Sequence, residues 1–199
     1  MARSFILASS SATRLAMLRD AGLDVAVQPA RIDELSIRQS MTADNATSRD
    51  IADTLADLKA RKISDKMPDQ LVLGCDQILE FQGLICGKPD SPEQASQQLK
   101  AMRGQTHRLL SAVVLYDNGV PVWRHVGAAR MTMRHSSDEW LDGYVRRNWD
   151  TIQHSAGSYL IEQEGIRLFA QIEGDHFTIL GLPLLPLLEY LMIRGFIET

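Results

Sequence analysis

Two long apolar runs, near residues 108–116 and 120–133, are joined by Asp117-Asn118-Gly119, and no other feature constrains the fold as tightly. An Asn-Gly pair between alternating apolar residues is a strong signal for a tight hairpin. Its two strands must therefore run antiparallel and side by side, which excludes a purely parallel sheet. Earlier in the chain, short apolar runs alternate instead with helical periodicity. The two patterns together predict an α/β fold on a mixed sheet.

The first run, Phe5-Ile6-Leu7-Ala8, ends in a serine cluster, and Leu15, Leu18 and Ala21 follow at helical spacing with Gly22 as the stop. A second strand is expected at 25–27. A polar stretch follows it, and then a helix over about 47–64 with Ile51, Leu55 and Leu58 on one face. Leu71-Val72-Leu73-Gly74 reads as the next strand, and 78–85 as a hairpin around Gln82-Gly83. Ser91 followed by Pro92 opens a helix to about Met102. Ser136-Ser137-Asp138-Glu139 caps another that runs to Arg146. Residues 156–182 are punctuated by glycine, and a last helix carries Leu187, Leu188, Leu191 and Met192. With no repeat and no Gly/Ser linker, the 199 residues read as one domain spanning 1–199.

Composition matters mainly for what it excludes. A net charge of -4 argues against a broad basic surface, so no stable nucleic-acid partner is expected. Arg146-Arg147-Asn148-Trp149 reads as the end of an amphipathic helix. No apolar run reaches the roughly 20 residues of a membrane span, and the first residues hold too short an apolar stretch for a signal peptide, so a cytoplasmic address is expected. Cys75 and Cys86 are not opposite each other in the expected hairpin register, which disfavours a disulfide. The five histidines lack zinc-site spacing.

Several residues carry candidate chemistry. Ser9, Ser10, Ser11 and Arg14 stand where the first strand meets the first helix, and helix N–H groups, hydroxyls and a guanidinium together suit a phosphate. An ordinary serine cap beside a surface arginine is the alternative. Asp76 ends an apolar strand, in position to hold a divalent cation or take a proton from water, or simply to make a turn. Lys59 and Lys88 offer point charges to phosphate or face solvent. Asp33 and Glu34 lie in an expected loop, as further metal ligands or as solvated acids.

In their order, these segments resemble the Maf family of nucleotide pyrophosphatases. The matching stretches are Leu7-Ala8-Ser9-Ser10-Ser11 through Arg14, Ile32-Asp33-Glu34, Leu58-Lys59-Ala60, Leu73-Gly74-Cys75-Asp76, Gly87-Lys88-Pro89, Gly104-Gln105-Thr106-His107, Ala156-Gly157-Ser158-Tyr159 and Gly181-Leu182-Pro183-Leu184. The resemblance implies a Maf/ITPase-like fold, with an elongated mixed sheet flanked by helices and two lobes around a central cleft. It also implies a homodimer and a Mg²⁺- or Mn²⁺-dependent cleavage of a nucleoside triphosphate to the monophosphate and pyrophosphate. Asp76 matches the catalytic acid, as general base or metal ligand. Ser9, Ser11, Arg14, Lys59 and Lys88 match phosphate contacts, and Glu34 joins Asp76 at the metal.

The departures concern the substrate. Where most members have Pro-Arg-Arg, this chain has Ala12-Thr13-Arg14. Gln77 and Glu162 replace a threonine and a glutamine, as in the branch acting on 7-methyl-GTP, but that branch has tryptophan at Thr13. Thr13, Gln77 and Glu162 are thus expected to set specificity. A carboxylate suits the N–H donors of a guanine edge and the positive charge of an N7-methylated ring. A canonical dTTP, UTP or CTP pyrophosphatase and a nucleotide-binding regulatory protein with little turnover are the alternatives. The stretch 147–155 is longer than the family's usual loop.

Overall fold

The computed structural model describes residues 5–198. The signal-peptide reading rests partly on Met1 to Ser4, which lie outside that range. The chain opens with strand β1 (Phe5–Leu7), helix α1 (Ala12–Asp20) and strand β2 (Val25–Val27), continues through helices α2 (Glu34–Ala43) and α3 (Ser48–Ser64), and enters the long strand β3 (Leu71–Phe81). Next come β4 (Leu84–Cys86), α4 (Pro92–Met102), β5 (Thr106–Asp117), β6 (Val120–Met133) and α5 (Asp138–Ile152). A 3-10 turn (Glu164–Leu168), β7 (Phe169–Glu173), α6 (His176–Ile179) and α7 (Leu184–Ile193) complete it.

The expected mixed sheet is present. Its seven strands follow the order β2-β1-β3-β5-β6-β7, with β4 paired to β3. β1 runs parallel to β2 and to β3, while β4 and β7 run antiparallel to β3 and β6. Both hairpins turn on the expected dipeptides: φ is 52° and 78° at Gln82 and Gly83, and 52° and 77° at Asn118 and Gly119. Two positive φ angles in a row are what a two-residue turn of the favoured twist demands. Cys86 faces Leu79 across the first of these hairpins, and both cysteines are free thiols.

Local chemistry fixes the helix starts. Thr47, Ser91 and Ser137 each accept a hydrogen bond from a backbone N–H three residues on, opening α3, α4 and α5, and Pro92 fills the first turn of α4 where its missing N–H costs nothing. α3 buries Ile51, Leu55, Ala56, Ala60 and Ile63 along one face.

Three expectations need correction. The polar stretch before α3 contains α2, and Glu34 is its first residue rather than part of a loop. No residue of α2 is buried, so no apolar stripe announces it, and Asp33 capping Ser36 N is its one local signal. β3 passes through Gly74 without a break. α5 continues to Ile152, so the long stretch 147–155 is mostly helix. The glycine-punctuated segment 156–182, to which the sequence assigns no elements, holds β7, α6 and the 3-10 turn.

Contacts group the chain into two compact units whose boundaries fall inside β3, β5 and β6 and between β7 and α6. The first gathers the chain up to Gln77, Leu110–Ala128 and the chain from Asp175 onward. Its core joins Leu7, Leu18, Leu73, Val113, Leu115, Leu182, Leu187 and Leu191. The second comprises Ile78–Leu109 and Ala129–Gly174, where α4 packs on α5. Among the described residues no helix is long and apolar enough to cross a membrane.

Candidate active site

β3 organises the site in the first unit through its period of two. Gly74 and Asp76 share the face turned to α3. A Cβ at Gly74 would collide with the carbonyl oxygen of Ala56 and lie 2.6 Å from the amide nitrogen of Ala60. Glycine therefore lets α3 approach the strand backbone closely. That approach sets Lys59, the neighbour of Ala60, against Asp76: Lys59 Nζ donates to Asp76 Oδ1 at 2.7 Å. The pair is almost closed to solvent, with Lys59 7% and Asp76 3% exposed.

Glu34 reaches the same ammonium from the first turn of α2, with Oε1 at 2.7 Å from Nζ. One turn later Arg38 places Nη2 3.4 Å from Asp76 Oδ2 and 3.6 Å from Glu34 Oε2. Two carboxylates and two cations thus balance in charge, and neither buried partner is left alone, which would cost several kcal/mol. Arg38 Nε is buried with no hydrogen-bond partner. Lys59 has three donors, two of them engaged here, so one remains for an anion. Arg38 escaped the sequence reading, although its i, i+4 spacing from Glu34 would have flagged it once α2 was recognised.

A second cluster forms around Arg14. Ser11 caps α1 by accepting from Arg14 N at 3.3 Å, so the cap reading is realised there. The guanidinium is held at three points: Nε donates to Gly181 O at 2.8 Å, and Nη1 to Ser9 Oγ and to Cys75 O, each at 3.3 Å. Ser9 Oγ also accepts from Ser11 N at 3.2 Å. Arg14 and Lys59 are therefore anchored to consecutive residues of β3, one on the carbonyl of Cys75 and the other on the side chain of Asp76. Burial pushes the Cys75 thiol up to about 11, so it stays protonated. Thr13 is half-buried in the first turn of α1.

Gln77 points to the other face of β3, away from Asp76. Its Nε2 donates to Ser111 Oγ at 3.0 Å, Ile179 O at 2.9 Å and Thr178 O at 3.3 Å. Lys88 and Glu162 belong to the second unit, both exposed. Lys88 follows Gly87, whose carbonyl accepts from Gln98 Nε2 at 3.0 Å. Glu162 tops a turn whose flanks are fixed: Arg147 Nη2 and Asn148 Nδ2 donate to Glu164 at 2.7 and 2.8 Å.

Glu34 and Asp76 converge on one point with hard oxygen donors, and an ammonium already occupies it as a stand-in cation. That donor set suits Mg²⁺ or Mn²⁺, which are commonly held by one or two carboxylates with phosphate and water completing the shell. No group of three or more His, Cys, Asp or Glu that would hold a metal occurs among the described residues.

The pattern of the Maf-like protein family matches residues 4–193. A nucleoside triphosphate pyrophosphatase of Ruegeria pomeroyi is 56% identical over 194 residues, covering 98% of each chain. A 7-methyl-GTP pyrophosphatase of Mesorhizobium japonicum is 44% identical over 198 residues, covering 100% of each. Among solved structures, a HAM1 protein from Coxiella burnetii gives a TM-score of 0.46 at 16% identity, covering 67% of this chain and 74% of that one.

Proposed function

This chain belongs to the Maf-like protein family, and from that premise we propose that it hydrolyses a nucleoside triphosphate to the monophosphate and pyrophosphate. The observation that carries the reading is the anchoring of Arg14 and Lys59 on adjacent residues of β3, beside the Asp76 carboxylate. Two cations are anchored on adjacent residues of one strand, one of them on the acid itself, and each is held by its own partners. Such preorganisation is what stabilises charge developing on a phosphoryl group.

In this reaction a water attacks the α-phosphorus and passes a proton to Asp76. The bond from that phosphorus to the α,β-bridging oxygen breaks, and pyrophosphate leaves with the oxygen. Arg14 and Lys59 offset the negative charge, and Ser9 and Ser11 border the anion at the start of α1. Glu34 and Asp76 are the residues that would hold the divalent cation. The chemistry a bound Mg²⁺ or Mn²⁺ supplies is neutralisation of phosphoryl oxygens and a lower pKa for water. Lys59 keeps the two carboxylates converged.

For the base, we favour 7-methyl-GTP or another modified guanine nucleotide. Glu162 supports this, because a carboxylate accepts from guanine N–H groups and attracts a cationic ring. The half-buried Thr13 offers such a ring no aromatic face. A cytoplasmic homodimer is proposed from the family.

Pyrophosphate release with Mg²⁺ or Mn²⁺ over GTP, 7-methyl-GTP, UTP, CTP and dTTP tests the reading. Multiple turnover with guanine nucleotides ahead is expected. A pyrimidine nucleotide in first place would move the assignment to the canonical pyrophosphatases, and no turnover with any triphosphate would leave only a binding protein.

A further inference from the structure

We propose that Gln77 is a positioning residue for Arg14, acting through the turn 178–181, and is not a contact for the base. This rests on the reading that Arg14 grips the triphosphate.

The amide of Gln77 has two N–H groups and three acceptors around its nitrogen: Ser111 Oγ, Thr178 O and Ile179 O. No donor capacity is left over for a nucleobase. Two of the acceptors are the last carbonyls of α6, a four-residue helix with almost no stability of its own. Carbonyls at a helix end lack intrahelical partners, and these receive theirs from outside. Thr178 O takes bonds from Gln77, from Ser111 Oγ at 2.7 Å and from Gly181 N at 3.0 Å. Ser111 is fully buried and Thr178 nearly so, so little water competes for these bonds.

Gly181 closes the path. Its φ of +97° is one that only glycine adopts readily, and its carbonyl then accepts Arg14 Nε at 2.8 Å. A Cβ there would sit 3.2 Å from Nη2 and 3.3 Å from Nε of the same guanidinium. The glycine-leucine-proline stretch at 181–183 thereby gains a physical role as the seat of Arg14. β3 holds the arginine twice: directly through Cys75 O, and indirectly through Gln77, the end of α6 and Gly181 O. A threonine at position 77 has one hydroxyl proton on a shorter side chain and cannot satisfy both α6 carbonyls.

A double-mutant cycle tests this with kcat and KM measured separately on GTP, 7-methyl-GTP and UTP, well below each variant's Tm. Gln77→Thr should lower kcat/KM by about three- to tenfold, by the same factor for each base, with the order of bases unchanged. In an Arg14→Ala background it should add nothing further, because the residue it acts through is gone. Ser111→Ala, which removes one partner of Gln77 while keeping its amide, should give a smaller loss of the same pattern. Additive effects, or a changed order of bases with Gln77→Thr, would overturn the proposal and leave the phosphate grip of Arg14 standing. An Arg14→Ala enzyme with unchanged kinetics would remove the grip itself.

Discussion

Lys59 Nζ sits 2.7 Å from Asp76 Oδ1 in a pocket nearly closed to water, and the same nitrogen is 2.7 Å from Glu34 Oε1. The ammonium therefore fixes both acids at once. Asp76→Asn would retain the shape and remove the charge that takes the proton. The expected outcome is a fall in kcat of about 100- to 10,000-fold, the usual contribution of a positioned base. Tripolyphosphate binding, measured by calorimetry, should persist. Pyrophosphate release near the wild-type rate would disprove the role given to Asp76.

Arg38 should matter for turnover more than for folding. Its guanidinium spans Asp76 and Glu34 at 3.4 and 3.6 Å, distances too long for strong bonds, and its side chain is 25% exposed. Arg38→Ala is expected to lower kcat/KM about tenfold, in line with losing a weak contact to a charged group. The shift in Tm should stay within about 2 °C. Arg38→Lys should recover part of the activity by restoring the charge.

Gly74→Ala is a test of the approach of α3 to β3. The added methyl would meet the backbone of Ala56 and Ala60, which cannot rotate aside as a side chain does. Overpacking of this kind costs about 1–3 kcal/mol or more, seen as a lower midpoint in urea. Activity should fall as well, because pushing α3 outward withdraws Lys59 from Asp76. An alanine variant with native stability and rate would contradict this account.

His107 predicts a pH dependence of stability. It is buried, its Nε2 lies 2.6 Å from the Tyr159 hydroxyl, and its Nδ1 has no partner. Burial lowers its pKa from 6.5 to about 4. Between those values the unfolded chain binds a proton that the native chain refuses, so stability is complete above pH 6.5 and declines as pH falls towards 4. The full effect is about 3 kcal/mol. Thermal melts from pH 4 to 7 should show a shallower slope for His107→Gln than for the wild type, and identical slopes would exclude His107 as the source.

The sequence announces those parts of the fold whose signals are local. The Asn118-Gly119 and Gln82-Gly83 turns, the serine caps of α4 and α5, and the buried Ile51 and Leu55 of α3 all coincide with observed elements, because each depends on a few neighbouring residues, whereas Leu58, expected on the same face, is only half-buried. α2 was hidden because the face it turns to α3 is only half-buried and carries Glu34 and Arg38 among its residues, so no continuous apolar stripe marks it, and Arg38 was hidden with it. Gly74 looked like a strand end when its purpose is contact with a helix whose Ala56 and Ala60 lie eighteen and fourteen residues earlier in the chain. Asp76 and Gln77 are adjacent in sequence, and their opposite directions emerge only when the strand is known to run straight through them. Whether a polar side chain is spent on the protein, as the Gln77 amide is, depends on α6, about a hundred residues downstream.

The missing methyl at position 74 also sets a rule for transplantation. A designer who moves the aspartate and its lysine into another scaffold must carry the bare stretch of strand and the small residues of the facing helix with them. With any bulkier spacer in between, the two charged groups would remain in the sequence and never meet.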